Sequence, residues 1–152
     1  MYRRATAQDC QAVYRLICEM EGKRLAFDSF RAIYQQQMDS QAYVCLVWER
    51  AGEVVGVLNL RLEKQLHHAA RIAEIMELAV APAARGQGVG TELLRAARRL
   101  ARARGCAQIE VACNQLRADA HRFYGKAGLH SLHYKFSQSL LGDDTAENAI
   151  GK

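Results

Sequence analysis

Apolar residues recur along this chain at two spacings, one typical of helices and one typical of strands. Helical spacing predicts helices over residues 7–20 and 91–104. Between them, the apolar side of residues 30–38 predicts a further helix capped by Asp28 or Ser29. β-rich or alternating runs predict strands over residues 2–4, 43–49, 53–62, 72–80, 108–113 and 130–139.

The order of these elements predicts an α/β fold built as one domain over residues 1–140. With a short helix from Asp119 to Tyr124, the order is β-α-α-β-β-β-α-β-α-β. This order indicates a mixed, mostly antiparallel central sheet flanked by about four helices. Residues 64–70 are expected to form a polar loop, and residues 141–152, which lack periodicity, a disordered tail.

Composition indicates a globular protein that does not enter a membrane. The chain has 152 residues, of which 50% are hydrophobic and 24% are charged, as in ordinary soluble domains. No apolar run approaches the roughly 20 residues that span a bilayer, and the first residues lack the apolar core of a signal peptide. The five cysteines contain no Cys-x-x-Cys pair, which fits reduced thiols. We expect a cytoplasmic protein.

Positive charge is concentrated on one predicted helix. The formal net charge is +5, and much of the excess comes from Arg95, Arg98, Arg99, Arg102 and Arg104. These arginines form either a surface for nucleic acid or a solvated face opposite the apolar side of the helix. Because no aromatic interleaving or nucleic-acid motif accompanies them, we favour the solvated face and expect no nucleic-acid partner.

A glycine-rich segment lies where a predicted strand passes into a predicted helix. Residues 85–90 read Arg-Gly-Gln-Gly-Val-Gly. Glycine allows positive φ and close approach of a ligand, and the unpaired amides at a helix start attract negative charge. The segment therefore predicts a phosphate or pyrophosphate site, with a plain tight turn as the alternative. Its spacing matches neither Gly-x-Gly-x-x-Gly nor a P-loop, which argues against dinucleotides and nucleoside triphosphates.

Two motifs resemble the signatures of the GNAT superfamily of N-acetyltransferases. Arg85-x-x-Gly88-x-Gly90, which opens a helix after a strand, is similar to the acetyl-CoA signature of that family. Residues 120–129, Ala-His-Arg-Phe-Tyr-Gly-Lys-Ala-Gly-Leu, are similar to its second signature. The resemblance covers residues 2–138. It implies a GNAT-like single domain, acetyl-CoA as cosubstrate, a small-molecule amine as acceptor and a homodimer.

A narrower group within the family, the aminoalkylphosphonate N-acetyltransferases, resembles this chain at further segments. They are residues 12–19, 52–56, 66–68, 74–78 and 119–124. This resemblance implies transfer of acetyl from acetyl-CoA to the primary amine of a small aminophosphonate, aided by a divalent metal. Two other functions stay open: a GNAT enzyme for another amine (aminoglycoside, amino acid, polyamine or protein), and a non-catalytic acyl-CoA-binding regulatory domain.

The family resemblance also implies which residues bind the cosubstrate. The diphosphate would be held by Arg85, the amides of Gly86, Gln87, Gly88, Val89 and Gly90, and the hydroxyl of Thr91. The backbone of Leu78 and Val80 resembles the contacts to the pantetheine arm, and an amide there would polarise the thioester oxygen. Asn114 resembles a further contact to this arm, with a turn asparagine as the alternative. Phe123 either packs on the cosubstrate or belongs to the core.

The acceptor needs a base, because an alkylamine with a pKa of about 10.4 is mostly protonated at neutral pH. Glu74 and Glu77 are the candidates, and their odd separation puts them on opposite faces of a regular strand unless a bulge intervenes. We favour Glu77, which is nearer the strand end. For Glu74 the alternative is an exposed carboxylate or an ion pair with Arg71. Tyr124 matches the position of the family's general acid, since a phenol can protonate a leaving thiolate.

Basic side chains suggest how a phosphonate would be bound. His67 and His68 lie in the predicted loop between Lys64 and Arg71, and Arg24 could reach the same pocket. Under the narrower resemblance the two histidines bind the phosphonate or its divalent metal. Exposed loop histidines are the alternative.

Overall fold

This computed structural model describes residues 1–142, which contain a five-stranded mixed sheet and four α-helices. The strands are β1 (Tyr2–Arg4), β2 (Tyr43–Arg50), β3 (Glu53–Gln65), β4 (Ala70–Val80) and β5 (Gln108–Val111). The helices are α1 (Cys10–Glu21), α2 (Phe27–Met38), α3 (Val89–Ala103) and α4 (Ala118–Lys126). Strands β1 to β4 pair antiparallel in chain order, and β5 pairs parallel with β4. The predicted α/β class with a mostly antiparallel sheet is confirmed.

The chain divides into two compact units. The first, residues 1–113, contains the five-stranded sheet and helices α1, α2 and α3. The second begins at Asn114 and contains α4. The prediction of one domain over residues 1–140 stays a prediction, and residues 143–152 of the predicted tail lie outside the described residues. Within residues 1–142, no helix has both the length and the apolar character needed to cross a bilayer.

Helices α1 and α2 cover one face of the sheet. Val13 and Ile17 of α1 and Tyr34 of α2 are buried in one apolar cluster with Val57 and Ala79, which are cross-strand partners in β3 and β4. The helical spacing of the apolar residues explains this, because it gathers them on the side that meets the sheet.

Helix α3 covers the opposite face and lies very close to β3. A Cβ atom at Gly56 would come within 2.7 Å of Val89 Cγ1 and 3.2 Å of Leu93 Cδ1. Leu58 and Leu60 follow at alternate positions of the strand and are fully buried. Gly56 therefore sets how closely the first turn of α3 approaches the sheet.

Two helices begin before their predicted caps. Ala26 occupies the N-cap of α2, so Asp28 lies in its first turn. Likewise α4 begins at Ala118, so Asp119 lies in its first turn. Acidic residues are favoured both at the cap and in the first turn, where they complement the helix dipole, and the residue type alone therefore does not fix the start.

The predicted polar loop over residues 64–70 is longer than the connection in the structure, which spans residues 66–69. Strand β3 runs on to Gln65 and β4 begins at Ala70, and these two residues are cross-strand partners. A turn of 3-10 helix, Leu66–His68, joins the strands. Polar side chains are compatible with a hairpin end because a strand requires only that its backbone groups pair.

The strand predicted over residues 130–139 is wrong. Residues 130–140 adopt no regular secondary structure, and Leu132, Tyr134 and Phe136 are 79%, 80% and 92% exposed. Alternation of apolar residues expresses a tendency, whereas a strand exists only when a second backbone pairs with it. This segment has no such pairing in the part of the chain described.

A buried carboxylate anchors the start of the chain. Asp9 accepts two hydrogen bonds from the guanidinium of Arg3, at 2.8 and 2.9 Å, and one from the N–H of Thr6 at 2.7 Å. Arg3 also donates to Glu49 at 2.7 Å, which ties β1 and β2 to the start of α1. The hydrogen bond from Arg3 holds the pKa of Asp9 below its usual range even though burial opposes this.

We expect Asp9→Ala to lower the free energy of unfolding by about 1–3 kcal/mol at pH 7, because Arg3 and the Thr6 N–H lose their acceptor. The loss should persist down to the ordinary aspartic acid pKa of about 3.9 and shrink as the pH falls through the lowered pKa. Urea unfolding at several pH values measures this. Glu53→Gln, at an exposed position, is the control and should change the free energy by less than about 0.5 kcal/mol. A loss that does not depend on pH would contradict this account.

Candidate active site

A β-bulge in β4 changes the face that its carboxylates occupy. The register pairs Asn59 with Glu77 but Leu60 with Ile75, so β4 contains one extra residue, Met76, at this point. The side chains of β4 therefore alternate in opposite phase on the two sides of the bulge.

The bulge brings Glu74 and Glu77 to the same face of the sheet. Their cross-strand partners are Arg61 and Asn59, which are two residues apart in β3 and so share a face. The odd separation of the glutamates therefore does not show which of them is the candidate base. Their hydrogen-bond partners differ and separate the two.

Glu74 lies in an ion pair. Arg61 Nη2 donates to Glu74 Oε2 at 2.7 Å and to Glu63 Oε1 at 3.2 Å. The sequence suggested Arg71 as the partner of Glu74, but the residue opposite in β3 is the one that reaches it. Glu74 is therefore engaged in an ion pair and is not among the residues that line the cavity described next.

Glu77 instead faces a cavity of about 180 Å³. Burial raises the pKa of its carboxyl above the usual range, and the like charge of Glu21 adds to this. A hydrogen bond of 2.9 Å from Asn59 Nδ2 acts in the opposite direction. A carboxylate with a raised pKa is suited to accept a proton near neutral pH.

The cavity is mainly apolar. Its apolar and aromatic walls include Val13, Ile17, Phe30, Ile33, Tyr34 and Met38. Its polar wall consists of Gln37, Asn59 and Glu77, and the residues that line it include no lysine, arginine or histidine. A phosphonate would therefore find no cation inside this cavity. A second cavity, of about 250 Å³ beside Arg4 and Arg104, includes none of the predicted site residues.

Hydroxyl groups hold the helical wall of the cavity in place. Tyr14 donates to Leu25 O at 2.6 Å and packs edge-to-face on Phe30, with 5.2 Å between ring centroids. Tyr34 of α2 donates to Thr6 O at 2.6 Å. The segment between α1 and α2 is thus attached to α1, and α2 is attached to the start of the chain.

Beyond the bulge, β4 and β5 separate. Their parallel pairing ends at Ile75 and Val111, where β5 stops while β4 continues to Val80. Residues 76–80 of β4 consequently have one edge that β5 does not occupy.

The backbone groups of Leu78 and Val80 point to this open edge. Ala81 N–H donates to Val55 O at 2.8 Å, so these two residues form a hydrogen-bonded pair of the antiparallel ladder. Pairing alternates along the ladder, and Leu78 and Val80 therefore direct their amides and carbonyls away from β3. The Val80 carbonyl on this edge accepts the side chain of Arg85, so the amide and carbonyl of Leu78 and the amide of Val80 are the groups that a chain-like ligand along β4 could meet.

The glycine segment that follows is exposed. Gly86 and Gly88 have φ of +73° and +84°, and a Cβ at either would meet no heavy atom within 4 Å. The first hydrogen bond of α3 runs from Glu92 N–H to Gly88 O at 3.0 Å, so the amides of residues 89–91 have no helical acceptor. With the exposed hydroxyl of Thr91, this segment fits a diphosphate.

Two side chains of the segment fold back on the protein. Arg85 Nε donates to Val80 O at 3.0 Å, and Gln87 Nε2 donates to Ala83 O at 3.0 Å. Gln87 Oε1 accepts a hydrogen bond from Arg50. These contacts order the turn, and they leave the backbone of Gln87, rather than its side chain, to face a ligand.

The remaining predicted residues of the cosubstrate site belong to the second unit. Asn114 Oδ1 accepts a hydrogen bond from Leu116 N–H at 2.9 Å, which is the geometry of a turn asparagine. Phe123 and Tyr124 are half-buried in α4, and their rings pack edge-to-face with centroids 5.4 Å apart. The roles predicted for Asn114, Phe123 and Tyr124 stay predictions.

The structure does not bring the two histidines to the cavity. His67 and His68 occupy the tip of the β3–β4 hairpin, and Glu77 lies seven residues (77 − 70) beyond Ala70. This separation is about 20 Å along a strand. His68 contacts Gln65 Oε1 at 2.6 Å and lies 3.9 Å from Glu110. Over residues 1–142, no group of three or more His, Cys, Asp or Glu side chains could hold a metal ion.

Arg24 is better placed to meet an acceptor. It is exposed in the segment between α1 and α2, and its neighbour Leu25 lines the cavity. Lys23 is exposed beside it. Positive charge therefore lies next to a wall residue of the cavity rather than inside the cavity.

Sequence reasoning missed Asn59 and Gln37, which share the polar wall with Glu77. Asn59 Nδ2 donates to Gln37 Oε1 at 2.9 Å as well as to Glu77. One signal was present: asparagine is depleted in strands, and here it stands between Leu58 and Leu60 in an apolar run.

The fold, the strand edge that β5 leaves unpaired and the exposed glycine turn are together typical of an acyl-CoA-dependent acyltransferase. A family model described as the acetyltransferase (GNAT) family matches residues 10–129. The chain belongs to the GNAT family, whose members are acetyl-CoA-dependent N-acetyltransferases. It is similar to the aminoalkylphosphonate N-acetyltransferase of Salmonella typhimurium, with 40% identity over 139 residues that cover 91% of this chain and 90% of that protein.

Solved structures share the fold. A transcriptional regulator from Bacillus halodurans has a TM-score of 0.85 and 24% identity, over 92% of this chain and 99% of that one. An aminoglycoside antibiotic 6'-N-acetyltransferase from Acinetobacter haemolyticus has a TM-score of 0.79 and 15% identity, over 94% and 99% of the two chains. At these identities the likeness concerns the fold alone.

We expect Gly56→Ala to weaken acetyl-CoA binding about three- to tenfold, equivalent to roughly 1 kcal/mol. The new Cβ would press on Val89 at the start of α3 and displace the glycine segment. Stability should fall by about 1–3 kcal/mol for the same reason. Titration calorimetry with acetyl-CoA and thermal unfolding measure the two effects.

Val89→Ala in the Gly56→Ala background is the matched control, because it removes the atom that is contacted. The double variant should lose less than the sum of the single losses. Additive losses would show that the contact between β3 and α3 does not position the turn.

Proposed function

We propose that this protein transfers acetyl from acetyl-CoA to the primary amine of a small acceptor, with an aminoalkylphosphonate as the favoured acceptor. The continuity of β4 carries the proposal. One strand presents Glu77 to the cavity, directs the backbone of Leu78 and Val80 to an open edge, and leads into the exposed glycine segment. An acceptor amine and a thioester would therefore meet at neighbouring residues of a single strand.

Bound acetyl-CoA supplies the acetyl group as an activated thioester. We assign its diphosphate to Arg85, the amides of residues 86–90 and the hydroxyl of Thr91, and its pantetheine arm to Leu78 and Val80. The Leu78 N–H donates to the thioester oxygen, where negative charge develops during attack. Asn114 and Phe123 are assigned to the arm on the family resemblance.

Glu77 acts as the base. The acceptor arrives mostly as an ammonium ion with a pKa of about 10.4, and Glu77 takes a proton so that the nitrogen lone pair can attack. The new N–C bond replaces the C–S bond of the thioester. Tyr124 gives its phenolic proton to the departing sulfur and takes back the second proton that the nitrogen loses as the amide forms, while Glu77 releases its proton to solvent.

The favoured acceptor is supported by the 40% identity to the Salmonella typhimurium enzyme. Arg24 and Lys23, exposed next to cavity residue Leu25, supply the cations that a phosphonate requires. A guanidinium can bind two phosphonate oxygens at once. We therefore assign the phosphonate contact to Arg24 rather than to His67 and His68. A role for a divalent metal has no support among the described residues.

The chemistry of the cavity favours a second acceptor class. Glu77 is the charged residue among those that line it, and most of its other walls are apolar. An amine on an apolar or cationic body would also fit such a site. Polyamines, amino acids and aminoglycosides are therefore the alternative acceptors.

Thiol release from acetyl-CoA tests the acceptor. We expect turnover with 1-aminomethylphosphonate or 2-aminoethylphosphonate, measured with and without Mg²⁺ or Ni²⁺, to exceed that with polyamines, amino acids or aminoglycosides. Arg24→Ala should raise the KM for the aminophosphonate about tenfold, as expected for loss of one charge-assisted hydrogen bond. His67→Ala/His68→Ala is the matched comparison and should have a smaller effect. Turnover only with other amines would reassign the acceptor, and no turnover with any amine would refute the proposal.

Glu77→Gln tests the base. It should lower kcat/KM by about 10²- to 10⁴-fold without lowering the unfolding temperature, because the variant no longer buries an ionisable carboxyl. In the wild type, kcat/KM should fall as the pH drops through the raised pKa of Glu77, which lies above the ordinary value of about 4.3. Glu74→Gln is the matched control with a smaller loss, and Tyr124→Phe should lower kcat while acetyl-CoA binding is kept. Equal losses at both glutamates would remove the assignment.

A further inference from the structure

Asn59 links three structural elements beside the cavity, and the reaction described above does not yet use it. It lies within β3 and is only 8% exposed. Its Nδ2 donates one hydrogen bond to Glu77 Oε2 on β4 and one to Gln37 Oε1 on α2, each 2.9 Å long. An amide NH2 group has two hydrogens, and both are used here.

We propose that Asn59 is a positioning residue that keeps Glu77 ionised and in one orientation, and that Gln37 braces it. The inference rests on the proposed function in one respect, that Glu77 is the base. Asn59 itself does not touch the reacting atoms. It acts through the carboxylate that does.

Because Asn59 is the donor and Glu77 the acceptor, their hydrogen bond lowers the pKa of Glu77. A donor aimed at a carboxylate oxygen stabilises the charged form and opposes the effect of burial. If that oxygen were protonated, its hydrogen would compete with the amide hydrogen for the same space. The contact therefore favours the form of Glu77 that can accept a proton from the acceptor amine.

Glu77 determines which way the Asn59 amide faces. If this amide turned over, its oxygen would face a carboxylate oxygen of Glu77, which would set acceptor against acceptor. Gln37 accepts the second amide hydrogen and so holds the Asn59 side chain from a different element, α2.

The other titratable groups near Glu77 do not replace this contact. Glu21 at the end of α1 carries a like charge and raises the pKa of Glu77. Burial raises the pKa of Cys45 on β2 to about 12 and raises that of Tyr34 on α2, so both stay neutral at assay pH. Tyr43, at the start of β2, also lines the cavity. Among residues 1–142, the hydrogen bond that lowers the pKa of Glu77 is the one from Asn59.

The direct test is an NMR titration of the Glu77 side-chain carboxyl carbon in ¹³C-glutamate-labelled full-length protein, with Glu77→Gln to assign the signal. Asn59→Leu should raise the midpoint by about one pH unit. Asn59→Asp, which is isosteric, should raise it further because a second carboxylate then lies beside the first. Glu53→Gln, at an exposed position away from the residues that line the cavity, is the control and should leave the midpoint unchanged.

Kinetics provide a second readout. Below the wild-type midpoint, Asn59→Leu should lose about tenfold in kcat/KM for the acceptor, recover most of it at high pH, and keep the KM for acetyl-CoA. A loss of purely structural support would instead be the same at every pH. Unchanged midpoints in both Asn59 variants would overturn the inference.

The NMR titration uses no substrate, so its outcome is separate from that of the proposed function. If no amine is acetylated but the midpoint shifts, the proposed function fails and the control of Glu77 by Asn59 stands. If Glu77→Gln is inactive but the midpoint does not shift, the proposed function stands and the inference fails.

Discussion

The pairing of β3 with β4 is the constraint on which both halves of the candidate site depend. A bulge at Met76 places Glu77 on the face covered by α1 and α2, while the regular ladder beyond it turns the amides of Leu78 and Val80 toward the edge that β5 leaves open. A slip of this register by one residue would move Glu77 to the face covered by α3 and aim those amides at β3. Under the proposed function, acceptor activation and cosubstrate binding would thus depend on the same backbone hydrogen bonds.

Glu74 and Glu77 lie on the same strand but differ in their hydrogen-bond partners, and these partners determine what each carboxylate can do. Glu74 is held in an ion pair by the guanidinium of Arg61 at 2.7 Å. Burial raises the pKa of Glu77, and the hydrogen bond from the neutral Asn59 amide lowers it. A shift of one pKa unit corresponds to about 1.4 kcal/mol, and a hydrogen bond to a charged group contributes about 1.5–3 kcal/mol. A neutral donor is therefore of the right strength to keep a buried carboxylate ionisable while it remains a usable base.

Local signals in the sequence were sufficient for most of the fold. The strand, glycine turn and helix around residues 72–104, and the hairpin of β2 and β3, follow from periodicity and from glycine, which act over a few residues. The bulge is different, because it depends on which residues of β3 meet β4. The same limitation explains the strand wrongly predicted over residues 130–139, since pairing is a property of two segments. A buried asparagine such as Asn59 is likewise understood only once its partners are known.

The cosubstrate half and the acceptor half of the candidate site require different features of the sequence. The cosubstrate half relies on backbone amides, glycine conformation and a helix terminus, which many sequences can provide. The acceptor half relies on side chains of α1, α2 and the segment between them, where Arg24 and Leu25 lie. That segment is attached through the hydrogen bond from Tyr14 to the Leu25 carbonyl, which does not depend on which side chains residues 23–25 carry. Under the proposed function, substitutions there would change the contacts to the acceptor without changing the β3–β4 register. The segment between α1 and α2 and the apolar side chains of these helices would then select the acceptor, and Glu77 of the sheet would supply the chemistry that any acceptor amine shares.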